Sequence, residues 1–164
     1  MTLPAGYAFD PDLDLILERK VDIAPHLVWA AWTDPKHLVH WFCPKPWQAT
    51  HAEIDLRPGG KFRTVMRGPE GQEFDSTGCY LEAVENQRLV WTSSLTQGFR
   101  PNAASFPLHF TAMILIEPKG SGSVYKAIVV HGTPEAAKQH GEMGFNDGWG
   151  KALDQLVAYM KSAG

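Results

Sequence analysis

Cysteine is scarce in this chain. Cys43 and Cys79 are the only two, they lie far apart, and they form no Cys-x-x-Cys pair. That spacing excludes a disulfide framework and a zinc ribbon, and reduced thiols in a cytoplasmic protein are expected. Long apolar runs are also missing. No stretch approaches the ~18 to 20 residues that cross a bilayer. Residues 1–12 lack a basic stretch followed by an apolar one, so no secretory signal is expected. Charge of either sign is modest: the net charge is −3 with no basic run, which argues against a nucleic-acid partner. Internal repeats are absent, which excludes a solenoid. The sequence contains no Gly-x-Ser-x-Gly and no His-Glu-x-x-His. Arg57-Pro58-Gly59-Gly60 is followed by neither Gly-Lys-Ser nor a helix, so it is a turn rather than a phosphate loop.

What is present is aromatic. Six Trp and eight Phe stand among 164 residues, enough for one domain. Large rings serve as core or as pocket wall. Residues 15–23 alternate apolar and polar, the pattern of a half-buried strand. Pro25 opens a short helix and Asp34-Pro35 a second, which the prolines at 44 and 46 end. Six strands are expected over 49–56, 61–67, 73–84, 88–95, 109–117 and 124–131. Residues 96–108 read as a loop over an opening. Thr133-Pro134-Glu135 starts a last long helix, on which Phe145, Trp149, Leu153, Leu156 and Met160 share one face. The glycines at 141, 144, 148 and 150 imply that this helix kinks or approaches another backbone closely. Strands bounded by helices, without βαβ alternation, give an α+β class with an antiparallel sheet. The amphipathic helix would bury its stripe across that sheet and enclose a cavity. Residues 1–13 read as a tail or strap, and 14–162 as the domain.

Three groups of residues carry a family resemblance: Ala24-Pro25 through Trp32-Thr-Asp-Pro35; Trp41-Phe42; and Glu53 through Arg57-Pro-Gly-Gly-Lys-Phe62. Gly78-Cys-Tyr80, Arg88-Leu-Val-Trp-Thr92 and Gly148-Trp149 complete the pattern. Over residues 14 to 162 the chain resembles the START-like, or SRPBCC, superfamily. Within it, the chain is similar to the branch named after the activator of the heat-shock chaperone ATPase, also called polyketide cyclase-like. The resemblance implies a helix-grip fold: a curved antiparallel sheet of about seven strands around a long C-terminal helix, with two short helices after the first strand. It speaks to fold rather than to chemistry.

Strand parity then nominates a ligand-binding lining of Arg19, Phe62, Met66, Phe74, Tyr80, Trp91, Phe110, Ile114 and Tyr125. The helix adds Phe145 and Trp149. Leu17, Thr64, Ala112, Ala127, Val129 and Leu153 share that parity, which a single bulge would invert. A buried Arg19 needs a partner, an exit to solvent or an anionic ligand. Tyr80 and Tyr125 would orient a ligand or satisfy each other, and His131 and His140 would face each other near the mouth. His37 and His40, three apart, lack a third ligand, so no metal site is assigned and no cofactor is expected. Cys79 is expected buried, and Cys43 exposed in its loop. The aromatic segment Trp41 to Trp47 is a lid, a partner surface or core. The reading is a domain that holds a small apolar or aromatic molecule, with no nucleic-acid or membrane partner. Homodimerisation through an edge strand or the aromatic segment is an open option. Two alternatives stand beside this reading. One is a cyclase- or aromatase-like enzyme using a pocket Arg, Tyr or His. The other is a co-chaperone-like protein that stimulates an ATPase.

Overall fold

The computed structural model describes residues 2–104 and 108–163. The elements run β1 (Asp14–Val21), α1 (Pro25–Thr33), α2 (Pro35–Leu38), β2 (Gln48–Ile54), β3 (Lys61–Arg67), β4 (Glu73–Val84) and β5 (Arg88–Thr92). A small hairpin follows, β6 (Leu95–Thr96) and β7 (Arg100–Pro101) about a 3-10 turn. Then come β8 (Thr111–Lys119), β9 (Gly122–Val130), α3 (Pro134–Glu142) and α4 (Phe145–Ala163). Seven strands form one sheet in the order β1-β9-β8-β5-β4-β3-β2, and every neighbouring pair is antiparallel. This is the expected α+β helix-grip architecture: a meander from β2 to β9, closed by β1 on its far side.

Alternation sets the faces. On β3, Phe62, Thr64 and Met66 stand opposite Gly78, Ser76 and Phe74 of β4 on the concave side. Between them Arg63 turns outward and forks onto Asp75 at 2.9 and 3.0 Å, with Glu53 as a third partner. A bulge between Tyr80 and Glu82 resets the parity of β4. The main core lies on the concave face. Leu17, Leu89, Ala112, Ile114, Ala127 and Val129 meet Val28 and Trp32 of α1 and Leu153, Leu156 and Met160 of α4. A smaller cluster on the convex face, Val90, Met113, Leu115 and Ile128, is covered by Tyr7. The Tyr7 hydroxyl donates to Asp14 at 2.8 Å, which ties the N-terminal segment down.

Three expectations are corrected. The last helix is two helices: Gly144 at φ +91° breaks the chain between α3 and α4, a conformation that costs glycine little and other residues much. The Thr133 hydroxyl caps α3 by accepting from the Ala136 amide at 3.1 Å. The second short helix ends at Leu38, so the aromatic segment after it is irregular. Part of the expected 96–108 loop is the β6–β7 hairpin, while 105–107 lie outside the described residues.

Candidate functional site

Between α4 and the β3-β4-β5 part of the sheet lies a cavity of about 440 Å³. Its floor is Phe62, Thr64 and Met66 of β3, Phe74, Ser76 and Gly78 of β4, and Trp91 of β5. Phe110, just before β8, and Tyr125 of β9 extend the floor. The roof is Phe145, Gly148, Trp149, Ala152 and Leu153 of α4. Trp32 of α1 and the segment Trp41-Phe42-Cys43-Pro44 close one end. Phe74 and Met143 line the cavity yet are 37% and 64% exposed, so the mouth opens beside the α3–α4 break.

The rings hold one another rather than filling the space. Phe62 meets Trp91 at 5.0 Å between centroids. Trp91 meets Phe110 at 5.5 Å, and Phe110 meets His140 at 5.0 Å. Edge and tilted contacts at these separations are the favourable geometries for aromatic quadrupoles. They make a continuous apolar arch. No Asp, Glu, Lys or Arg stands among the described lining residues.

Polar groups occur at defined points. Trp32 Nε1 donates to the Tyr125 hydroxyl at 3.2 Å, so Tyr125 pairs with an indole and not with Tyr80. Burial raises the Tyr125 pKa, which the Trp32 bond opposes only in part. His131 Nδ1 lies 2.8 Å from the Leu13 carbonyl, and its Nε2 lies 2.9 Å from His140 Nδ1. A carbonyl only accepts, so His131 donates from Nδ1. In the neutral pair His131 then accepts at Nε2 and His140 donates from Nδ1. That leaves Nε2 of His140, a residue of the cavity wall, unprotonated. Burial, and then the neighbouring His131, push the His140 imidazole down to about 4.

Of the residues nominated from sequence, Phe62, Met66, Phe74, Trp91, Phe110, Tyr125, Phe145 and Trp149 line the cavity. Arg19, Tyr80 and Ile114 do not. Arg19 is exposed, because β1 is an edge strand and its side chain leans out. A Cβ on Gly150 would stand 3.2 Å from Arg19 Nη2. Tyr80 is fully buried behind Phe62, with ring centroids 5.2 Å apart, and its hydroxyl has no partner among the described residues. Ile114, with Leu17, Ala112, Ala127 and Val129, sits in the solid core.

Cys43 is buried rather than exposed. Burial pushes its thiol up to about 11, so it is a poor nucleophile at neutral pH. His37 bonds the Tyr159 hydroxyl at 3.0 Å and His40 stacks on the same ring at 4.6 Å. Among the described residues no group of three or more His, Cys, Asp or Glu is placed to hold a metal. Sequence reasoning missed Gln155. Its amide donates to the carbonyls of Trp41 at 3.1 Å and Cys43 at 2.9 Å, and accepts from Lys45 N at 3.0 Å. It pins the aromatic segment to α4; a Gln beside a helix stripe gives no sign of this in sequence.

The curved sheet gripping a C-terminal helix defines a START-like domain. The sequence profile of the Activator of Hsp90 ATPase homolog 1-like proteins matches residues 22–161, and the chain belongs to that family. A Nitrosomonas europaea protein of known structure is 44% identical, with a TM-score of 0.89 over 94% of this chain and 98% of that one. A Rhodobacter sphaeroides protein matches at 22% identity and TM-score 0.80, covering 94% and 97%. An AHSA1 protein from Silicibacter pomeroyi matches at 24% and 0.66, covering 92% and 99%. The last two speak to fold alone. A comparison with curated proteins returned no match. The family includes ligand binders, cyclases and co-chaperones. No helix among the described residues is long and apolar enough to cross a membrane.

Proposed function

We propose that this protein binds a small apolar or aromatic molecule between α4 and β3-β4-β5. The observation that carries this reading is an uncharged, ring-lined cavity of about 440 Å³, within the range of small-molecule sites. The apolar mouth at Phe74 and Met143 supports it. Native mass spectrometry of protein purified from its own host tests it, with a retained small molecule as the expected result. Thermal-shift screening is the second test. A ligand at a hundred times its dissociation constant adds about 2.7 kcal/mol, and the absence of any shift across aromatic and aliphatic panels contradicts the reading.

A second reading, a cyclase- or aromatase-like enzyme, draws support from the His131–His140 pair. A neutral imidazole at the cavity wall has the chemistry of a general base, and turnover abolished by His140→Phe with binding retained is its signature. The co-chaperone reading draws support from family membership alone. An unchanged chaperone ATPase rate in its presence disposes of it.

A further inference from the structure

Three features of the cavity bear on what its occupant must carry. The first is the absence of charge. A carboxylate or ammonium seated among these rings would lose its hydration and meet no counter-ion, a cost that excludes it. The second is the relay from the Leu13 carbonyl through His131 to His140, which uses up His140 Nδ1 and leaves Nε2 able only to accept. Neither histidine forms an ion pair with a carboxylate among the described residues. A proton added to His140 would therefore be desolvated with no counter-ion beside it. The third is the set of rings beside that acceptor. A hydroxyl, which has a proton to give, complements a nitrogen that only accepts. The faces of Phe110, Phe145 and Trp149 around His140 suit a ring beneath that hydroxyl, at 5.0, 5.4 and 6.5 Å from the imidazole.

We infer that the occupant is an uncharged aromatic molecule bearing a hydroxyl, and that this hydroxyl donates its proton to His140 Nε2. The inference rests on the cavity reading and narrows it to a chemical class.

Calorimetric titration at neutral pH with three matched probes tests it: para-hydroxybiphenyl, para-methoxybiphenyl and biphenyl para-carboxylate. The hydroxyl compound should bind about tenfold more tightly than the ether, the size of one buried hydrogen bond. The carboxylate should bind weakest. The His140→Phe variant should lose the hydroxyl preference and bind the hydroxyl compound and the ether alike, and its thermal melt reports that it is folded. Nitrogen NMR of the wild-type protein supplies a readout free of any variant. The His140 Nε2 resonance should be that of an unprotonated nitrogen and should move on addition of the hydroxyl compound only. Equal affinity for hydroxyl and ether, or tightest binding of the carboxylate, overturns the inference while the cavity reading stands. If none of the three probes binds, the cavity reading fails and the inference falls with it.

Discussion

Along β1, β8 and most of β9 the concave face is solid, whereas along β3, β4 and β5 the same face holds space. On the solid side Leu17, Ala112, Ile114, Ala127 and Val129 form one buried cluster with Val28 and Trp32 of α1 and Leu153, Leu156 and Met160 of α4. On the hollow side two of the facing floor pairs include a small or polar residue, Thr64 against Ser76 and Phe62 against Gly78. The large floor rings there lean on one another. Both halves obey the same inward parity. Side-chain size at facing positions decides which one closes, because dispersion contacts are lost as soon as a gap opens.

Truncation gives the largest contrast. Ile114→Ala on the solid side should cost about 2–5 kcal/mol, since it leaves a new void. Met66→Ala on the hollow side borders existing space and should cost less than about 1.5 kcal/mol. Urea denaturation of both variants measures the difference, and equal costs would erase the distinction between the halves.

Acid should act through the hollow side next. His140 has a folded pKa depressed to about 4 from an ordinary 6.5, so the unfolded chain binds its proton first. Its contribution is fully present above pH 6.5 and is lost as pH falls toward 4, by up to roughly 3 kcal/mol. The slope of stability against pH in that window should shrink in His140→Phe. An unchanged slope would mean that other groups carry the acid response.

Filling the two halves sharpens the comparison further. Ala127→Phe should destabilise by about 1–3 kcal/mol through overpacking. Ser76→Phe should fold with stability within about 1 kcal/mol of the parent and abolish uptake of aromatic probes. Thermal melts with and without para-methoxybiphenyl report both effects. The smallest expected effect is at Tyr80, whose buried hydroxyl lacks a partner among the described residues. Tyr80→Phe should leave stability unchanged or raise it by up to about 1 kcal/mol. A loss of more than that would show that the hydroxyl is satisfied in solution.

The sequence carried the fold further than the site. Period-two alternation around Phe62-Thr64-Met66 and the helical stripe Phe145-Leu153-Leu156-Met160 both arise from local geometry, and both are legible in one dimension. Arg19 shows where that logic stops: it keeps the apolar parity of β1, but parity does not say that β1 lies at a sheet edge. Ile114 and Met66 share an inward parity, yet only the three-dimensional spacing of α4 separates packed floor from cavity wall. The pairing of His131 with His140 was foreseeable from their places at the end of β9 and on the next helix. The Leu13 carbonyl that fixes their tautomers was not, because it arrives from the opposite end of the chain. The break at Gly144 was signalled only as an excess of glycine.

The central claim is the hollow itself, and crystals of the protein pressurised with xenon address it most directly. Gas bound among Phe62, Trp91, Phe110 and Trp149, with nothing among Leu17, Ile114 and Leu156, is the predicted result. A space occupied by inward-swung rings of Phe145 or Trp149, with no xenon beneath α4, would contradict it.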